Sequence, residues 1–239
     1  MNIDPNQGSK TQRVEAMFND IAPKYDFLNH FLSLGIDRIW RRKVIRMIIA
    51  EKPNDVLDIA TGTADLALML VKKLPEVRIT GIDLAENMLE VGRTKVNKLN
   101  YSNQISLKHG DSLSLPFADE SFDSAMVAFG VRNFEDPVKG MSETLRVLRK
   151  NGKYFVLEFS MPRRFPMAQL YRFYFRAILP LIGRMVSGHR KAYTYLPESV
   201  RTFPDGNGFI TMMEKAGFSH CRFKTLSFGI ATIYEGTKV

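Results

Sequence analysis

The sequence predicts an α/β fold, a seven-stranded and mostly parallel sheet with one antiparallel strand and helices on both faces. Three observations predict it. Short apolar runs alternate with helical patterns from Asp55 to Phe159, as strands joined by crossover helices do. The first run, DVLDIA, ends in a small-residue loop from Ala60 to Ala64, and the second, RITGID, ends in Asp83. The last two runs, FSHCRFKTL and GIATIYEGT, are separated by little more than Ser227 and Phe228, so they form an antiparallel hairpin at the sheet's end.

Taken in order, residues 1–52 read as an N-terminal helical cap. From Ala22 to Ala50 the pattern is helical, with Tyr25, Leu28, Phe31 and Leu32 on one stripe and Trp40, Val44, Met47 and Ile48 on another, before Pro53 closes the segment. DVLDIA predicts the first strand and leads into a helix over 64–73. RITGID, a helix over 85–98, the strands QISLKHG and FDSAMVAF, a helix over 136–148 and the strand GKYFVLEF follow. Residues 161–202 form an aromatic-rich, basic helical insertion, with Pro180 breaking a helix-like run. An amphipathic helix near 206–216, stopped by Gly217, precedes the hairpin. At 239 residues and 45% hydrophobic composition, one domain over 1–239 carries both additions.

The net charge of +9 calls for an anionic partner. Arg38, Arg41, Arg42, Lys43 and Arg46 cluster in one helical segment. Arg163, Arg164, Arg172, Arg176, Arg184, Arg190 and Lys191 are interspersed with large apolar residues in another. That mixture suits a membrane interface better than a nucleic-acid groove, so no nucleic acid is expected. The lone Cys221 excludes an internal disulfide and a CxxC metal cluster, and reads as a small core residue of a strand. Neither His30 nor His109 has metal-ligand spacing with another His or Cys, so no metal is expected. The polar start, MNIDPNQGSKTQ, and the absence of any window of ~18 apolar residues lead us to expect a cytoplasmic protein that does not span a membrane.

Right-handed crossovers place the loops after the strands along one edge, where ligands bind in such sheets. The Ala60–Ala64 loop lets a ligand approach the backbone closely. Asp83, about 20 residues beyond it, stands where a doubly wound fold puts the carboxylate that holds a ribose. Asp58, just before the turn, either meets a cationic or water-bridged ligand group or holds the loop as a local Asx-turn. GDSLSLPFADESFDSAMVAF then places an acidic residue after the third strand, a Leu-Pro-Phe segment, and an Asp opening the fourth.

This order, with the closing hairpin, resembles the Rossmann-like class I S-adenosylmethionine-dependent methyltransferases. The flanks narrow the resemblance. KYDFLNHFLSLGIDRIWRR, FGVRNFEDPVKGMSETLRVLRKNGKYFVLEFSMP, and YTYLPESVRTFPDG followed by MMEKAGF are together similar to the quinone-ring C-methyltransferases of the UbiE/MenG type. The resemblance implies methyl transfer from S-adenosylmethionine to a ring carbon of a polyprenylated hydroquinone, giving menaquinol from demethylmenaquinol or acting on the corresponding ubiquinone precursor. It places the cofactor at Thr63, at Asp83 on the ribose hydroxyls, and at Asp111 with Ser112 beside the adenine. Relatives usually carry more glycine where Thr61 and Ala64 stand, and often a serine where this chain has Ala128. Alanine occupies ordinary backbone conformations, so the first departure constrains the loop without abolishing binding.

Carbon methylation requires a nucleophilic ring carbon, which a hydroquinone gains on losing a hydroxyl proton. A phenolic pKa near 10 is too high at neutral pH, and a fixed cation lowers it. Arg132 in FGVRN is the candidate, against an ordinary ion pair with Glu135 or Asp136. Asn133 orients the quinol oxygen or stabilises the turn. Tyr25 binds the ring hydroxyl or fills a core position of the cap, which would fold over the cofactor with Asp26. The insertion offers a route for the isoprenoid tail, with Arg172, Arg176 and Arg184 meeting lipid phosphate, or else it is a lid packed on the sheet or another subunit. Tyr193, Tyr195 and Ser199 follow as candidates to shape the quinol pocket. A peripheral location at the inner membrane face and a homodimer are further expectations. A non-catalytic quinone-binding scaffold retaining the fold and a methyltransferase of RNA or small molecules stand as alternatives.

Overall fold

The computed structural model describes residues 9–33, 35–174, 177 and 190–239. Pro180 and Arg184 of the insertion, and Arg176, lie outside the described residues. So do the side chains of Leu28, His30, Phe31, Leu32, Arg172, Arg190, Lys191 and Tyr193. Three helices precede the sheet: α1 (Lys10–Ile21), α2 (Tyr25–Leu32) and α3 (Asp37–Ala50), with a 3-10 turn at Ala22–Lys24. Then come β1 (Asp55–Ile59), α4 (Asp65–Val71), β2 (Arg78–Asp83), α5 (Glu86–Lys98), β3 (Ile105–His109) and β4 (Phe122–Ala128). A 3-10 turn at Val131–Asn133 leads to α6 (Pro137–Val147) and β5 (Leu148–Phe159). Helices α7 (Met167–Phe173), α8 (Arg190–Thr202) and α9 (Asn207–Lys215) precede the hairpin of β6 (Ser219–Leu226) and β7 (Ala231–Thr237).

The seven strands run in the order β3-β2-β1-β4-β5-β7-β6. Pairs among the first five are parallel, and β7 lies antiparallel to both β5 and β6. The alternation of strand side chains divides the core into two layers. Val56, Met126, Phe155 and Leu157 face Trp40, Val44 and Ile48 of α3 together with Leu66 and Leu70 of α4. Leu57, Ala125, Val127, Tyr154 and Val156 face Met141 of α6 and Phe209 and Met213 of α9. Truncating a filler such as Phe209, fully buried, costs about 3–5 kcal/mol. Cys221 of β6 is half-buried and not disulfide-bonded.

Helix α1 lies within the 1–52 cap but before Ala22–Ala50, the stretch whose apolar pattern reads as helical. Ser9 caps it, and the Ser9 and Gln12 side chains bond each other's backbone N–H at 3.2 and 3.1 Å. That S-x-x-Q capping box was the available signal; the apolar stripe of this helix was too sparse to show it. Its Phe18 joins Tyr25 against a small cluster of Ala22, Ala85 and Met88, which seats the cap on the start of α5.

Candidate active site

The carboxyl ends of β1, β2 and β4 open on one cleft of about 730 Å³, partly open to solvent. Its floor is Ile59, Ala60, Gly62, Asp83, Asp111 and Ser112. Phe129, Gly130, Asn133 and Phe134 form one wall, and Thr11, Glu15, Phe18 and Tyr25 of the cap cover it. Edge-of-sheet placement follows from parallel topology, since all three strands end at the same side.

The loop after β1 alternates handedness. Ala60, Gly62 and Ala64 have φ of 51°, 57° and 63°. Ala64 therefore stands in the left-handed region favoured by glycine, contrary to the expectation of ordinary conformations, at a cost of roughly 1–2 kcal/mol. The loop is held from below. Asp83 accepts from the Gly62 N–H at 2.8 Å and from the Ala85 N–H at 2.9 Å, one bond on each carboxylate oxygen. A second lone pair remains on each for a ligand. Burial pushes the Asp83 carboxyl above the ordinary range, against these backbone bonds.

Asp58 is buried beneath the loop and outside the cleft lining, accepting from the Thr61 hydroxyl at 2.7 Å. Burial pushes its carboxyl up to about 7, opposed by the Thr61 bond and the charge of Arg41. Thr63 is also buried, and its hydroxyl bonds Asp26 of α2. Lys95 of α5 bonds Asp26 at 2.8 Å, Thr63 at 3.2 Å and Asp65, so one ammonium ties the cap to the loop. Asp111 and Ser112 line the cleft side by side. The Asp111 carboxylate turns the chain locally by accepting from the Leu113 N–H at 2.9 Å.

Arg132 is 7% exposed and lies behind the cleft wall. Its partner is Glu158 of β5, Nη1 to Oε1 at 2.7 Å, and neither Glu135 nor Asp136. Glu135 accepts from Thr11 of α1, and Asp136 caps α6 by accepting from the Lys139 N–H. Nη1 of Arg132 also bonds the Phe129 carbonyl, while Nε has no partner. Asn133 accepts from the Tyr195 hydroxyl at 2.9 Å, so α8 orients its amide. Burial raises the Tyr25 phenol above its ordinary value, opposed by the charges of Arg41 and Arg132, which keeps it a neutral hydrogen-bonding group.

Sequence reasoning missed Lys10, whose ammonium bonds the carbonyls of Arg132 and Phe134 and fastens α1 across the FGVRN turn. It also grouped Arg41 with exposed basic residues, although Arg41 is 5% exposed. Among the described residues no group of three His, Cys, Asp or Glu side chains is placed to hold a metal, and no helix is long and apolar enough to cross a membrane.

The model of the ubiE/COQ5 methyltransferase family matches residues 6–238. A demethylmenaquinone methyltransferase of Bacteroides fragilis is 46% identical over 98% of this chain and 95% of its own length. A ubiquinone/menaquinone biosynthesis C-methyltransferase of Geobacter sulfurreducens is 44% identical over 96% and 90%. Among solved structures, a SAM-dependent methyltransferase from Thermotoga maritima superposes with a TM-score of 0.62 at 19% identity, covering 94% of this chain and 99% of that one. The [4+2]-cyclase SpnF superposes with a TM-score of 0.70 at 17% identity, covering 97% of each chain. Both are similar in fold, and their different activities on that fold leave chemistry to the site.

Proposed function

Because the chain belongs to the ubiE/COQ5 methyltransferase family, we propose that it methylates a ring carbon of a polyprenylated hydroquinone, with demethylmenaquinol converted to menaquinol as the principal reaction. The observation that carries this reading is a single cleft in which the acidic strand end Asp83 and the FGVRN turn face one another under an aromatic cap. The residues fit S-adenosylmethionine. Asp83 has lone pairs left for two ribose hydroxyls, and Asp111 with Ser112 provides polar edges for the adenine. Asp58 and Thr63 support the loop from behind rather than touching the ligand. When bound, S-adenosylmethionine supplies a methyl group on a sulfonium, whose C–S bonding pair stays with sulfur as the ring carbon bonds the methyl and one proton is lost overall.

The chain's own residues prepare the acceptor. Tyr25 and Asn133 hydrogen-bond the ring oxygens, and Tyr195 keeps the Asn133 amide oriented. Arg132 favours the ionised hydroxyl through the field of its charge from behind the cleft wall, although Glu158 balances much of that charge. The α1–α2 cap shields the cleft from water, and in-line positioning of the reactants there contributes up to about 7–11 kcal/mol.

The described parts of residues 1–52 and 161–202 are, on this reading, substrate-facing additions to one domain. A bilayer surface is the source of the substrate. Phe165 and Phe228, each 81% exposed, and Ile39, 50% exposed, share the surface with exposed Arg38 and Arg42, which flank Ile39 in sequence, and with exposed Arg163 and Arg164, which precede Phe165. The Phe228 turn is held between Trp40, which donates to Ser227 at 2.8 Å, and the Met161–Pro162 segment. We place this face on the cytoplasmic leaflet, with a homodimer as the alternative cover. Methyl transfer to demethylmenaquinol in anionic vesicles tests the proposal: product forms faster than in zwitterionic vesicles. Absence of product in both, with methylation of RNA instead, overturns it.

A further inference from the structure

Arg41 projects from α3 into the interior, whereas Arg38, Arg42, Lys43 and Arg46 of the same helix face solvent. An arginine this buried normally has its donors satisfied. Its Nε lies 3.4 Å from Asp37 Oδ2 without hydrogen-bonding it, and Asp37 Oδ1 is engaged by the Ser33 hydroxyl at 2.7 Å. The guanidinium sits over the Phe129 ring, 5.4 Å from its centre. Phe129 stacks on Phe159 with centroids 4.3 Å apart, and Arg132 lies 5.4 Å over Phe159. An arginine thus stands over each ring of one aromatic pair, each with a buried Nε–H that bonds nothing.

The two cations differ in what neutralises them. Glu158 spends both oxygens on the Arg132 turn, Oε1 on Nη1 at 2.7 Å and Oε2 on the backbone N–H at 3.3 Å. Arg41 is paired with Asp37, 3.4 Å from its Nε, a longer contact than the 2.7 Å between Arg132 and Glu158 and so a weaker attraction. Phe129, at φ 61°, is itself in a conformation that costs a bulky residue energy, and it turns the wall of the cleft at this point.

We propose that Arg41 is a second buried cation acting on the quinol by its field across Phe129, so that ionisation of the ring hydroxyl is favoured by Arg41 together with Arg132. The proposal rests on the quinol reading of the cleft. Among the described residues, Asp37 on its own helix, Tyr25 of α2 and Asp58 of β1 feel the charge of Arg41, and Arg132 stands across the aromatic pair. Of these, Tyr25 lines the cleft. The proton lost by the hydroxyl passes to water, and no other bond changes in that step.

The test uses 1-naphthol, a fluorescent phenol with the bicyclic ring, and the full chain. Bound to the unaltered protein, 1-naphthol ionises at a pH at least about one unit below its value in water, the shift an opposite charge nearby produces. Arg41→Met returns the midpoint most of the way to the free value, with S-adenosylmethionine affinity unchanged, and Arg41→Lys restores most of the shift. Should Arg41→Met not fold, Arg41→Gln carries the same expectation. A midpoint unmoved by removing the charge overturns the proposal while leaving the quinol reading standing. Failure of the unaltered protein to bind 1-naphthol overturns both.

Discussion

Replacing Asp83 by alanine separates two tasks that the structure gives to one carboxylate. The side chain accepts two backbone N–H bonds, from Gly62 at 2.8 Å and from Ala85 at 2.9 Å, which position the loop before any ligand arrives. Hydrogen bonds to a charged group contribute about 1.5–3 kcal/mol each. Because the residue is half-buried and water can reach the vacated amides, the lower end applies, and the cofactor-free protein loses about 3 kcal/mol. Two ribose bonds lost from the same oxygens remove a further ~3 kcal/mol of binding, about a hundredfold in affinity. Urea unfolding of the cofactor-free protein and calorimetry with S-adenosylmethionine measure the two losses independently. A variant with weakened affinity but unchanged stability would show that Asp83 does not organise the loop. Lost stability with full affinity would remove it from the cofactor site.

Two further outcomes follow from the buried charges. Arg132→Met lowers turnover by about 10²–10³-fold, the effect of deleting one electrostatic donor, while S-adenosylmethionine affinity stays within error; equal loss of both in steady-state kinetics and calorimetry contradicts the assigned role. Asp58, with its carboxyl raised to about 7, holds a proton in the folded chain that the unfolded chain releases near the ordinary aspartate value. The folded state therefore binds more protons between about pH 4 and pH 7, and stability falls as pH rises through that window. Asp58→Asn removes this slope, and identical pH–stability curves for the two proteins would refute the upshift.

The sheet was legible because its signals are local and repeated: an apolar run, an acidic or small-residue end, a helical pattern, and a connection near Ser227 too short to cross over. The placement of Asp83, Asp111, Ser112 and Asn133 on one cleft followed from parallel topology. What pairs with what was less accessible. Glu158 lies 26 residues from Arg132, and only the β4–β5 pairing brings the two together, so proximity in sequence points instead to Glu135 and Asp136. The left-handed Ala60 and Ala64 were hidden for a similar reason. Their conformation is imposed by Asp83 gripping Gly62 and by the Thr61 N–H bonding the Ile82 carbonyl at 2.9 Å, both tertiary constraints that override local preference.

Arg41 is the instructive case, because its signal was present and was averaged away. Counted by charge, it belongs with Arg38, Arg42, Lys43 and Arg46. Counted by helical period, Asp37 and Arg41 fall four residues apart on the stripe that continues through Val44, Ile45 and Ile48, all of which are buried. A carboxylate and a guanidinium on the apolar face of a helix must be desolvated on folding, which is costly unless the opposing surface rewards it. In this fold the opposing surface is Phe129 at the cleft wall. A charge that interrupts an apolar stripe at the correct period therefore deserves separate treatment from charges beside the stripe, because burial concentrates its field on whatever binds next to it.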